Sequence, residues 1–385
     1  MINKITTSNS TWGNAPCAIV FIIFTFSYLY FFQADLLSME QHLLSGGTTK
    51  YDRTIGAVIV TFILYFLQTF VKRIVRFNDK LFALTYTPSL LLLIILTNIR
   101  ETDDGIRLST TWMITVTIIF ICFIIYAFMN IRKGRFIRHL KNQKLKLSVL
   151  WQNLLLLSVM LIFTCMGGNT NKVFHYRLRM EQLLYSGEYS KALKVGEKSN
   201  DTDKNLTMLR IFALSKNKQL GEKLFEYPLS GGSISLLPNG NNVGCLYYPN
   251  SEIFKNLGYR KKGRIESMDY LLYLNNNGLA FRQVTDYILC GYLLDKKLDN
   301  FVQEIQHKYN LNSLSLPKHY KEALTLYTHL RSNPITVYHN EIMDTDYSDF
   351  QKLMRKYKNK DEKMSHIRDV YGNTYWFYYF FASIQ

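Results

Sequence analysis

Between Ile131 and Gly168 the chain passes from a dense basic block into an apolar run long enough to cross a bilayer. That junction limits what can be built on either side of it. The block carries Arg132, Lys133, Arg135, Arg138, Lys141, Lys144 and Lys146 and no acidic residue. Leu147–Met166 follows without a charge and stops at Gly167-Gly168. About 20 apolar residues satisfy the hydrocarbon thickness of a membrane as a helix. Four similar runs precede it, at Ala15–Phe32, Ile55–Val71, Leu81–Ile99 and Trp112–Met129, and none holds an Asp, Glu, Lys or Arg. Beyond it, residues 167–385 hold 22 of the 29 acidic residues and read as water-soluble. The mean hydropathy of -0.05 therefore averages two unlike halves.

Orientation follows from Lys and Arg in the short loops. The loops after the second and fourth runs carry four (Lys72, Arg73, Arg76, Lys80) and seven. Those after the first and third carry two each, Lys50 with Arg53 and Arg100 with Arg107. The basic loops are expected inside. This places 1–14 in the cytoplasm, five spans over 15–166, and 167–385 outside, in the periplasm if the cell is bacterial. The first run is read as a retained anchor, since no small-x-small cleavage site follows it. Ala34–Leu44 is expected to be an interfacial helix, with Leu36, Met39 and Leu43 on one face beside Leu37 and Leu44, ended by Gly46-Gly47. Pro88 is expected to kink the third span.

In the soluble half, Leu183, Leu184, Ala192, Leu193 and Val195 recur at helical spacing around Gly187-Glu-Tyr189. This helix, turn and Ala-Leu start resembles the middle of a tetratricopeptide repeat. A similar unit is expected at Asn205–Tyr227. Helices are also expected at Ser267–Leu274, Phe281–Leu294, Leu298–Tyr309, Lys318–Leu330 and Asp346–Lys358. Leu229–Asn250 is irregular and too long for an ordinary connection. The aromatic tail Tyr371–Phe381 is expected to pack on the domain or touch the membrane surface. The fold class is thus all-α, a five-span transmembrane domain followed by a soluble, tetratricopeptide-like helical solenoid. Across nearly its whole length the chain also resembles an uncharacterised bacterial family of multi-pass membrane proteins. Arg210–Leu214, Leu220–Pro228, Tyr287–Asp295, Ala323–Pro334 and Tyr371–Trp376 carry that resemblance. It implies this architecture and no catalytic residue.

Catalytic signatures are missing: the sequence has no HExxH, GxSxG, P-loop or GxGxxG. No metal or other cofactor is expected, and nucleic acid is excluded as a partner because the basic domain is tethered to a membrane. Asp344, Asp346 and Asp349 lack the glycine of a calcium loop and read as helix-start acids. His319 and His329 read as surface or core-edge histidines. Asp35 and Glu40 in the first external loop, with Asp103 and Asp104 in the next, are the acids that a lipid-linked enzyme would use. Arg260, Lys261, Lys262 and Arg264 form a candidate patch for anionic headgroups or a partner. Cys245 and Cys290, the two cysteines outside the spans, are the disulfide candidates in an oxidising compartment. The expected function is a membrane-anchored scaffold whose external domain binds an envelope protein or peptide. The alternative is a polytopic enzyme or transport component acting on a lipid-linked or envelope substrate, and the uncharged spans weigh against an ion pathway.

Overall fold

The computed structural model describes residues 15–75, 77–102, 105–136, 147–239, 242–258 and 266–382. They are mainly helical and divide into two compact units, Met1–Asn171 and Lys172–Gln385. The first unit extends past the last apolar run because Asn169 is tied back to the third span. Its backbone N–H donates to the Thr97 carbonyl and its Nδ2 to the Ile99 carbonyl, both at 2.7 Å.

Five helices of the first unit are long and apolar enough to cross a membrane: Ala15–Phe32, Arg53–Ile74, Asp79–Thr97, Thr110–Ile131 and Leu147–Gly167. The second starts at Arg53 because Asp52 caps it, its carboxylate accepting from the backbone N–H groups of Thr54 and Ile55. The third is central: 61% of its apolar window is buried, against 11% for the fourth. A helix over Ala34–Leu44 lies between the first two spans and ends at Gly46-Gly47, where Gly47 N–H closes on the His42 carbonyl at 2.8 Å. Its buried face is Leu36, Leu37 and Met39, while Leu43 and Leu44 are exposed. The loop expected at Arg100–Ser109 contains a short antiparallel hairpin pairing Ile99 with Leu108 and Thr102 with Gly105.

The third span is broken, but not by a proline kink. Residues Asp79–Tyr86 wind as a 3-10 helix with a non-helical Leu81, and the α-helix Thr87–Thr97 begins with Pro88 in its first turn, where a missing N–H costs nothing. Backbone released at membrane depth must find partners within the protein. Asn153 of the fifth span supplies them: its Oδ1 accepts from Ala83 N–H at 2.9 Å and its Nδ2 donates to the Asp79 carbonyl at 2.7 Å. Gln68 of the second span donates to the Thr85 hydroxyl, and the Ser89 hydroxyl donates to the Leu64 carbonyl. Amides and hydroxyls therefore join these apolar helices.

In the second unit, Lys204–Lys216 and Gln283–Leu294 are the central helices. Every residue from Leu206 to Ser215 is buried, the mark of a helix surrounded by protein on all sides. Lys172–Tyr185 and Tyr189–Leu193 pack against the first of them, and the turn between them uses Gly187 at φ +73°. Tyr189 sets its ring edge-on to Phe212 across that turn. Around the second lie Ser267–Asn276, Leu298–Lys308 and Lys318–Leu330. Two further helices follow, Glu341–Lys356 and Lys360–Tyr371, the first beginning before the expected Asp346 and the second not expected from the sequence. The irregular stretch is core-forming: a 3-10 turn over Gly232–Leu236 wedges Leu236 between the two central helices.

The aromatic tail is a helix, Tyr375–Phe381, and it packs on the domain. Trp376 is 1% exposed and sits against Tyr347 and Phe350. Burial of one such side chain contributes roughly 1.5–3 kcal/mol. The tail also caps a central helix: Tyr375 and Tyr378 hydroxyls donate to the Leu293 and Leu294 carbonyls, the last ones of Gln283–Leu294. Lys296, in a left-handed turn at φ +58°, donates from Nζ to the Ala382 carbonyl at 2.6 Å.

Candidate functional site

Ionisable side chains enclosed in the second unit fix its loops and so shape its surface. On Lys172–Tyr185, Arg177 and Glu181 lie one turn apart on the same buried face as Phe174, Leu178 and Leu184. The Glu181 carboxylate accepts three backbone N–H bonds, from Leu246 at 2.7 Å and from Tyr247 and Tyr248 at 2.8 Å. Burial pushes its carboxyl up, while those three donors and the Arg177 charge favour the ionised form. Arg177 pairs with Asp203 at 3.4 Å and reaches the Gly244 carbonyl. The N–H groups of residues 246–248, near the end of the Leu229–Asn250 stretch, thus converge on one carboxylate.

Arg210, fully buried on a central helix, does the same for two other turns. Its Nη1 donates to the Pro228 carbonyl at 3.0 Å and to the Thr202 hydroxyl, and its Nη2 to the Gly196 carbonyl. The guanidinium lies over the Tyr227 ring at 5.4 Å, and burial lowers its pKa to about 10. A third knot joins Lys318–Leu330 to the tail helix. His319 Nε2 accepts from Phe225 N–H, so Nδ1 carries the proton and donates to Glu322 at 2.8 Å. The same Glu322 oxygen accepts Tyr375 N–H at 2.7 Å. His319 is therefore a fully buried joint, not a surface or core-edge histidine.

Between the turns held by Arg210 and the last two helices runs a groove of about 520 Å³. Phe225, Tyr227, Phe377 and Phe381 supply aromatic surface, with Phe377 and Phe381 stacked at 5.1 Å and Arg368 over Phe377. Glu197, Lys198, Asn200, Asp369 and Asn373 line it with polar groups. An aromatic floor with a polar rim is suited to holding side chains while hydrogen-bonding a backbone. None of these residues was read from sequence as part of a binding site, because the walls come from segments far apart in the chain.

Cys245 and Cys290 are separate free thiols. Cys290 faces the Tyr320 hydroxyl at 3.6 Å, beside the Asp286 carboxylate that Tyr309 and Tyr320 share, whereas Cys245 sits beside Glu181 and Arg177. They occupy different surroundings. Burial, aided by those carboxylates, pushes both thiols well above the usual range. Arg260, Lys261, Lys262 and Arg264 lie outside the described residues, as do Asp103 and Asp104. Asp344 falls in the first turn of Glu341–Lys356, 3.8 Å from His329 and 3.6 Å from His339. Among the described residues no group of three or more His, Cys, Asp or Glu is placed to hold a metal. Asp35 pairs with Arg53 at 3.3 Å at the end of the first span.

No curated protein and no solved structure matches this sequence. A family model does match, over residues 105–262 and 265–382, taking in the last two apolar helices and most of the second unit. The chain belongs to that family, DUF6057, a family of unknown function.

Proposed function

We propose that this protein is a membrane-anchored interaction module whose 172–385 unit, a degenerate tetratricopeptide-like array, takes an extended peptide of an envelope protein in the groove. The aromatic floor backed by Arg210 is the observation that carries the reading. Buried aromatic and Arg anchors are where binding energy concentrates, and a polar rim hydrogen-bonds the backbone between them. A photo-crosslinking residue at Met364, in the groove wall, should trap a peptide partner in intact membranes. Replacing Tyr227 and Phe377 by Ala should cut that yield at least roughly 30-fold, the loss expected from even one of the two anchors. Unchanged crosslinking in the double variant would remove the groove from consideration.

The proposed orientation has the N-terminus and the two basic loops in the cytoplasm and residues 172–385 outside, in the periplasm of a bacterial cell. It rests on the loop counts of four and seven against two and two. Reporter fusions after Asn142 and after Lys172 should report opposite compartments. Cytoplasmic signal from both would turn the second unit to face the cytoplasm and leave no envelope partner to bind.

A further inference from the structure

The fourth apolar helix, Thr110–Ile131, is the least buried of the five and leaves room beside it. Between it and the second and third helices lies a cleft of about 510 Å³. Phe70 and Ile74 form part of one wall, Ile95 part of the floor, and Phe120 and Ile124 part of the other wall. Those four wall residues are exposed, so the cleft opens sideways to whatever surrounds the helices. Thr117 is the one polar side chain in the lining, and its hydroxyl already donates to the Met113 carbonyl of its own helix at 2.8 Å. A lining whose side chains leave no hydrogen bond to be made suits a hydrocarbon chain.

One end of this cleft is charged. Val71 and Val75, which line it, pack with Ala127 of the fourth helix, and the Phe77 ring stacks on Tyr126 at 5.7 Å. The second and fourth helices therefore close on each other there. Lys72 and Arg73 fall between the two valines, exposed, and neither is ion-paired among the described residues. Lys72 Nζ lies 5.2 Å from the centre of the Phe82 ring. Residues 72–80 carry four basic residues against the single acid Asp79. The fourth helix runs on to Phe136 through Arg132, Lys133 and Arg135 and adds no acid. Set across a bilayer, the 22 residues of Arg53–Ile74 rise about 33 Å against about 30 Å of hydrocarbon, which brings Lys72 and Arg73 to the level of lipid phosphates.

We propose that an anionic phospholipid binds here, with an acyl chain in the cleft and its phosphate on Lys72 and Arg73. Arginine meets a phosphate with a planar fork of donors and lysine with a point charge. Ethanolamine and choline headgroups carry a cation of their own, which the basic residues repel. A glycerol headgroup leaves the phosphate charge whole. The site rests on the membrane placement of the five helices and is independent of the peptide groove.

The test uses the full chain in detergent, with lipids of identical acyl chains and glycerol, ethanolamine or choline headgroups, and native mass spectrometry of what stays bound. The glycerol lipid should be retained above the other two. Lys72→Gln and Arg73→Gln should each lower its retention roughly fivefold, the worth of one basic residue at a membrane surface. Lys50→Gln, just before the opposite end of the second helix, should leave it unchanged. Thr117→Trp, which fills the cleft and keeps both cations, should also lower it; Ile124→Trp in the same wall serves should that variant fail to fold. Retention of all three lipids alike, of none, or of a zwitterionic lipid in preference overturns the proposal. So does a loss as large in Lys50→Gln as in Lys72→Gln, which marks attraction to overall charge, or a loss that spares the folded cleft variants. Carbonate extraction of cell membranes checks the placement separately, since a chain that stays with the membrane and retains no lipid fails at this site alone.

Discussion

Glu181→Ala should be among the most damaging single substitutions in the second unit, costing about 3–5 kcal/mol. It strips three backbone N–H groups of their acceptor and leaves Arg177, 1% exposed, with only the part-exposed Asp203 as its counter-charge. Glu181→Gln keeps the shape but offers one acceptor oxygen where two are used, and should cost about 1–3 kcal/mol. Thermal unfolding of the detergent-solubilised chain would rank the two. Proteolysis should open first between Gly244 and Tyr248, the segment the carboxylate holds. A Glu181→Ala protein that melts like the parent would show that this loop is ordered by apolar packing alone.

Glu322→Ala should be comparable in size but different in place. The carboxylate accepts from His319 Nδ1–H and Tyr375 N–H, and Lys318 Nζ stands 4.0 Å away. Its removal leaves two buried donors unmade, about 1–3 kcal/mol each, and frees the start of the tail helix. Tryptic cleavage at Arg368, on the helix just before, should then accelerate well ahead of global unfolding. Loss of the groove should accompany it, since Phe377 and Phe381 ride on the freed helix.

The five long apolar helices were legible because each follows from an apolar run of membrane-spanning length. The helix ends at Gly46-Gly47 and Gly187 were legible because glycine readily takes the left-handed turn that closes a helix. The groove was not, because no local pattern joins Tyr227 to Phe377. The buried ionisable joints were legible in principle and were overlooked. Arg177 and Glu181 share a face with Phe174, Leu178 and Leu184, while His319 and Glu322 share one with Ala323 and Leu326. Counting only apolar residues on a helical period misses charged ones that occupy core positions. Helical order inside the third span failed at Asp79–Tyr86 for a different reason. Asn153, some 70 residues away, makes a broken span tolerable, and nothing near Pro88 announces it.

The tail helix gives the second unit an order of assembly. Synthesis delivers the chain from its N-terminal side, and domains form as their parts emerge. Tyr375–Phe381 is the last described helix to arrive, yet it covers the carbonyl end of Gln283–Leu294, fills the space beside Tyr347 and Phe350, and forms one wall of the groove. Until it docks, the central helix ends in bare carbonyls and the groove has a single side. A nascent or truncated chain therefore lacks that wall, and under the proposed function it would take no peptide until the whole unit has been made.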